Sequence, residues 1–297
     1  MTIDIEPLGS VRAALGECPI WDMENQRLWF MDCRAGLIHQ INPATGGLVA
    51  SSEVPAPAGS FALNADGRLV VALKEAIALY DPATGVLETI AQIEDSHPNL
   101  RLNDGEALAD GSFIVGTMHV LRNEGESPLG GLYRLYPNGR LVKLDSNIGI
   151  TNGPCLSPVD GRFYVSDSSV RTIYSYAIAA GGALADRRVF INTEAYASGP
   201  DGCCFDSAGG LWTALVHAGA IARFAPDGVL THKIELPLTH PASLCFGGAN
   251  MDELFVTSIR DSGRLKGDKP LDGAVLRVRG IGAQGLAPAH TRIGMPT

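Results

Sequence analysis

Four oxygen-bearing side chains occupy matched positions in this sequence: Glu17, Asn103, Asn152 and Asp201. Each precedes, by 10 or 11 residues, the first apolar residue of a strand-like segment, at Leu28, Phe113, Phe163 and Leu211. Two carboxylates and two amide oxygens form a hard donor set, suited to Ca²⁺, Mg²⁺ or Mn²⁺ rather than to a thiolate-seeking metal. The contexts LGECP, RLNDG, TNGP and GPDG put glycine or proline beside the polar residue. That predicts a tight bend at the mouth of an inner strand, aiming the side chains inward. Taken singly, Asn-Gly and Asp-Gly are ordinary turn formers. Their common phase makes the set a ligand candidate, because a ring of unpaired carboxylates is otherwise costly to bury.

The elements that must position these residues follow from a repeat. RLWFMD, RLVVAL, SFIVGT, RFYVSD, GLWTAL and ELFVTS share one pattern, and their first apolar residues fall 41 to 50 residues apart. Most follow a turn such as Asp66-Gly67, Asp110-Gly111 or Asp160-Gly161, and in four repeats a second strand and turn succeed them, as in LIHQINPATG. About four strands in about 40 to 50 residues is one blade of a propeller. The expected fold is all-β: a six-bladed β-propeller with four-stranded antiparallel blades around a central channel, residues 1–297 forming a single domain. A β-sandwich or paired small barrels would not require six similarly phased copies. Ring closure is expected to pair a segment near Ile3 to Val11 with the last blade, leaving no free strand edge. The remaining two ring positions, Gly59 and Ser243, are small.

Composition limits the partners. The chain has 297 residues, a formal charge of -9 and no basic run, which argues against nucleic acid or an anionic membrane. A membrane span needs roughly 20 consecutive apolar residues, and a stretch such as 207–222 is shorter and broken by glycines and His217. The N-terminus carries Asp4 and Glu6, with neither a basic start nor an apolar core, so a secretory signal is not expected and cytoplasmic residence is. Six cysteines without a CxxC pair read as buried thiols rather than as a zinc site. Oligomeric state is not legible.

Other chemistries find less support. No GxSxG elbow, Walker loop or dinucleotide fingerprint is present, and Cys203-Cys204 has no histidine at a defined spacing. Near the ring, Asp32 and Asp104 are candidates either to orient ligands or to cap strand ends. Arg101 and His119 are candidates to face a substrate, against the ordinary alternatives of a surface ion pair and an exposed loop histidine.

On the stretches LGECPIWD with LWFMD, RLNDG, FIVGTM, ITNGPCLSP with FYVSD, GPDGCCFDSAGGLWTAL and CFGG, the chain resembles the gluconolactonase family, also called the senescence-marker or regucalcin family, in its bacterial sugar-lactonase form. The likeness runs over nearly the whole length. It implies that Glu17, Asn152 and Asp201 hold one divalent metal, among Ca²⁺, Zn²⁺, Mn²⁺, Mg²⁺ and Fe²⁺. It also implies that Asp201 is the catalytic proton acceptor, and that Arg101 and Asn103 bind substrate oxygens. Two departures stand out: Leu102 where the family often has proline, and His119-Val120 where some members place an acidic substrate-binding residue. His119 is therefore retained as a substrate-binding candidate.

The implied activity is metal-dependent hydrolysis of a small-molecule sugar lactone to its aldonic acid, in carbohydrate catabolism. Two alternatives stay open: an esterase or phosphotriesterase on the same scaffold, and a non-enzymatic calcium-binding propeller.

Overall fold

The computed structural model describes residues 2–94 and 96–295. Its strands form six four-stranded antiparallel sheets, and the helical content of the described residues is three short 3₁₀ turns. The expected six-bladed propeller is therefore the observed one. Blade 1 is Gly16–Asp22, Arg27–Asp32, Leu37–Asn42 and Gly47–Glu53, from the channel outward. The inner strands of blades 2 to 6 are Ser60–Leu63, Leu100–Ala107, Thr151–Leu156, Pro200–Phe205 and Pro241–Gly247. Each inner strand packs against the next, and the sixth returns to the first, which closes the channel wall.

The repeated apolar segments are the second strands of the blades. Leu69–Ala72, Phe163–Asp167 and Leu211–Leu215 are buried along their whole length, because blades cover them on both faces. Their continuous Val/Leu/Ala/Phe character follows from that two-sided burial rather than from alternation. Outermost strands are wet, as in Gly47–Glu53, where six of seven residues are exposed.

Closure occurs where the N-terminal segment was expected to make it. Asp4–Pro7 pairs antiparallel with Leu276–Arg279, with Asp4 opposite Arg279 and Pro7 opposite Leu276. The first strand of the chain is thus the outermost strand of blade 6. Joining the two chain ends in one sheet removes the edge that a linear array of blades would leave open.

A second strap crosses the opposite face of the ring. The segment after blade 6 forms bridges from Gly285 to Asp206 of blade 5 and from Thr291 to Asn64 of blade 2. Asn64 fixes its far end, accepting from the Thr291 hydroxyl at 2.8 Å and the Ile293 amide at 2.9 Å. Between these anchors, residues 286–289 pass beneath the channel.

Candidate functional site

Five of the six inner strands break register at the ring position. Pairing shifts between Glu17 and Ile20, Leu102 and Gly105, Asn152 and Cys155, Pro200 and Cys203, and Pro241 and Leu244. Blade 2 pairs regularly from Ser60 to Leu63. A bulge leaves residues unpaired and re-aims the side chains at the break: Asn103 and Asp201 lie within the unpaired gaps, and Glu17 and Asn152 are the last paired residues before them. The Asn-Gly and Asp-Gly pairs are therefore bulges at the channel mouth, not hairpin turns, and this bend presents Glu17, Asn103, Asn152 and Asp201.

Glycine supplies the close approach that the bulges need. Gly153 has φ of +53°, and a Cβ there would lie 2.5 Å from the Cys203 amide nitrogen of the next blade. Gly59 fills the ring position of blade 2, where a Cβ would meet the Leu102 carbonyl oxygen at 2.6 Å. Its smallness is thus a packing requirement between blades 2 and 3.

A directed hydrogen-bond chain orients the amides. Asn103 Nδ2 donates to Asn152 Oδ1 at 2.6 Å and to the Thr151 carbonyl at 2.8 Å. Asn152 Nδ2 donates to Ser168 Oγ at 2.9 Å, and Ser168 donates onward to the Pro200 carbonyl at 2.6 Å. With its amide nitrogen committed to Ser168, Asn152 must present oxygen on the ring side. Ser168 carried no signal in the sequence, because it acts through a loop that only the fold brings back to the ring.

The carboxylates crowd one another. Asp201 is buried, and its Oδ1 has no hydrogen-bond partner. Burial and then the neighbouring Asp104 push its carboxyl well above the usual range, against the pull of the Gly202 amide. Glu17, half-buried at the mouth, is also raised well, by desolvation first and then by Asp201 and Asp104, with Arg101 opposing. Arg101 in turn has its pKa lowered by desolvation, partly offset by Cys33 and Glu17. An orphaned buried carboxylate oxygen beside a second carboxylate and an oriented amide oxygen is what a hard divalent cation relieves. Glu17, Asn152 and Asp201 therefore fit the implied metal. Among the described residues no group of three His, Cys, Asp or Glu could hold a metal ion by itself, so the set depends on the Asn152 amide oxygen as its third donor.

The two neighbouring aspartates separate into different roles. Asp32 accepts the amides of Ala14 and Leu15 at 2.7 and 3.2 Å and those of Arg34 and Ala35 at 3.2 Å, so it caps a strand end. Asp104 instead ties three blades together, accepting from the Gly153 amide at 2.7 Å, the Gly105 amide at 2.9 Å and the Cys18 thiol at 3.2 Å. It forms the floor of the ring.

His119 ends the second strand of blade 3 opposite Leu100, one register step from Arg101. It is buried, its Nδ1 lacks a partner, and its Nε2 lies 3.9 Å from Glu126. Its ring stands edge-on to His97 at 6.3 Å. It thus belongs to a blade 3 loop cluster beside the ring.

Below Asp104 the channel widens into a cavity of about 350 Å³, lined by the lower halves of the inner strands and by residues 286–289. Sequence reasoning missed this chamber. Five cysteines expected as plain core thiols, Cys18, Cys155, Cys203, Cys204 and Cys245, line it, and the last three are half-buried. Glu106 also lines it, with Oε2 unpartnered and its carboxyl pushed up to about 8 by desolvation and by Asp104.

Fold and site together define a six-bladed propeller with an oxygen-donor ring at one mouth of its channel. Residues 15–260 match the SMP-30/gluconolactonase/LRE-like region, and the chain belongs to that family. It is 32% identical over 270 residues to a 6-deoxy-6-sulfogluconolactonase of Pseudomonas putida, covering 90% of this chain and 91% of the relative. It is 30% identical over 250 residues to a pentonolactonase of Haloferax volcanii, covering 84% and 83%. Among solved structures it is similar to a calcium-binding protein, regucalcin, from Agrobacterium tumefaciens, with a TM-score of 0.86, 28% identity and 97% of each chain covered.

Proposed function

We propose that this protein hydrolyses a sugar lactone to its aldonic acid in a metal-dependent reaction serving sugar catabolism. The carrying observation is the unpartnered, buried Asp201 Oδ1 within an oxygen ring whose amides are already oriented. Membership of a family whose similar members are named for gluconolactone and pentonolactone chemistry supports the substrate class.

Glu17, Asn152 and Asp201 would hold the divalent cation. When bound, it supplies Lewis-acid polarisation of the lactone carbonyl. Asp201 accepts the proton of the attacking water, the general-base role of a positioned carboxylate. Ring opening then breaks the acyl carbon to ring oxygen bond, and the released alkoxide takes up a proton, leaving a hydroxy acid. Arg101 and Asn103 hold the sugar oxygens so that the carbonyl faces the ring. His119, one register step from Arg101, bounds the substrate on the blade 3 side.

The experiment measures opening of pentonolactones and hexonolactones by the purified protein before and after chelation, and in Asp201→Asn. Loss of turnover in both, with recovery on adding a divalent cation to the chelated protein, is the expected result. Full activity in both sinks the mechanism, and calcium binding without turnover of any lactone sinks the enzymatic reading.

A further inference from the structure

We propose that the lower chamber of the channel is a second binding site, separate from the mouth, that takes a small organic cation: an alkylammonium held by Glu106 with its hydrocarbon part on the apolar wall. The inference stands independently of the lactonase reading.

The carboxyl group comes first. Glu106 Oε2 is buried without a hydrogen-bond partner, whereas Asp104 above it is satisfied by Gly153, Gly105 and Cys18. The ionisable groups facing Glu106 from the surrounding inner strands are Asp104 and the thiols of Cys18, Cys155, Cys203, Cys204 and Cys245. Every one of these thiols is pushed up by burial, so all are neutral at physiological pH. The chamber therefore holds acids and no base among its described residues. A cation entering it meets no fixed positive charge.

The walls then decide which cation. Ile20, Phe61, Leu63, Phe205, Leu244 and Phe246 are among the apolar side chains that line it. Thiols and carboxylates do not come together as a metal-holding cluster. A bare metal ion would have to keep its water against these side chains, a costly arrangement. An ammonium that carries its own hydrocarbon meets both conditions: charge for Glu106, apolar surface for the wall. The volume of about 350 Å³ equals roughly a dozen waters at about 30 Å³ each, room for an amine of about six to eight carbons.

Hexylammonium chloride is the probe, with 1-hexanol as its neutral counterpart, titrated calorimetrically into the full-length protein at pH 7 in two buffers of different ionisation heat. Glu106, at about 8, is roughly nine-tenths protonated at that pH, so binding should release close to one proton. One saturable site, tighter for hexylammonium than for hexanol, is expected. Glu106→Gln should weaken it at least tenfold and abolish proton release. Ala287→Trp, on the exposed strap beneath the chamber, should weaken it without touching the carboxyl. The proposal is overturned by absence of saturable binding, by equal affinity in Glu106→Gln, by equal affinity for hexanol, or by displacement of the amine when divalent cation fills the mouth.

Discussion

The two halves of the channel are built from the same six strands, yet they handle buried carboxylates in opposite ways. At the mouth, Glu17 and Asp201 stand beside an oriented amide oxygen; burial raises both first, with Asp201 and Asp104 adding to it at Glu17 and Asp104 at Asp201. In the lower chamber, Glu106 stands among neutral thiols and apolar side chains, and desolvation raises it. The first arrangement is relieved by a cation shared among several oxygens. The second is relieved by a proton, or by a cation that brings its own apolar surface. Burial raises the carboxyl in both halves, so a raised pKa by itself does not mark a catalytic centre; the other oxygen donors standing beside it do.

The largest effect should separate the two halves outright. Asp201→Asn is expected to lower lactone turnover by about 10³-fold or more, the scale of losing a positioned general base and a ligand together. Glu106→Gln should leave turnover within about threefold. Steady-state rates on one lactone compare them, and similar losses in both would erase the distinction between mouth and chamber.

Stability should depend on pH through Glu106. A carboxyl raised to about 8 in the fold but near 4.5 when unfolded binds more proton in the folded state. Its contribution is present below about pH 4.5 and is lost as pH rises through 8. Glu106→Gln removes this loss, so the variant should gain on the order of 2–4 kcal/mol over the parent at pH 8.5 and little at pH 4.5. Urea midpoints at the two pH values test it, and a pH-independent difference would contradict the assignment.

Cation affinity at the mouth should rise with pH. Glu17 and Asp201 are both raised in the metal-free protein, so a cation must displace protons from them. Affinity should increase by up to about tenfold per pH unit while one of them is still protonated, measured by competition with a calcium indicator. A flat profile from pH 5 to 8 would mean that the carboxylates are not the ligands.

The smallest effect concerns Ser168, which touches no substrate and acts by holding Asn152. Ser168→Ala should weaken cation affinity about tenfold, the lower end for loss of an orienting partner. Rate at saturating cation should recover, a split that general destabilisation would not produce.

Much of the mouth was legible in the sequence. The phase of Glu17, Asn103, Asn152 and Asp201 against the second-strand segments placed them on inner strands, and the inner strands carry them. Phase sufficed because a blade repeats one local geometry, so equal spacing maps to equal height in the channel. His119 and Arg101 were separable only in space: strand pairing puts them one register step apart, and His119 turns to His97 and Glu126.

The lower chamber was not legible, for a physical reason. Its cysteines and Glu106 sit further along the same strands, where each reads locally as an ordinary core or edge residue. Their meeting depends on ring closure by Asp4–Pro7 and on the strap that returns to Asn64. The sequence by itself determined the repeat, the six blades and the oxygen donors, because these are local patterns copied along the chain. Tertiary structure alone decided which bulges aim those donors and which glycines let the blades meet. It also decided where a solitary carboxyl is left without a partner, since each depends on contacts between blades about 40 or more residues apart in sequence.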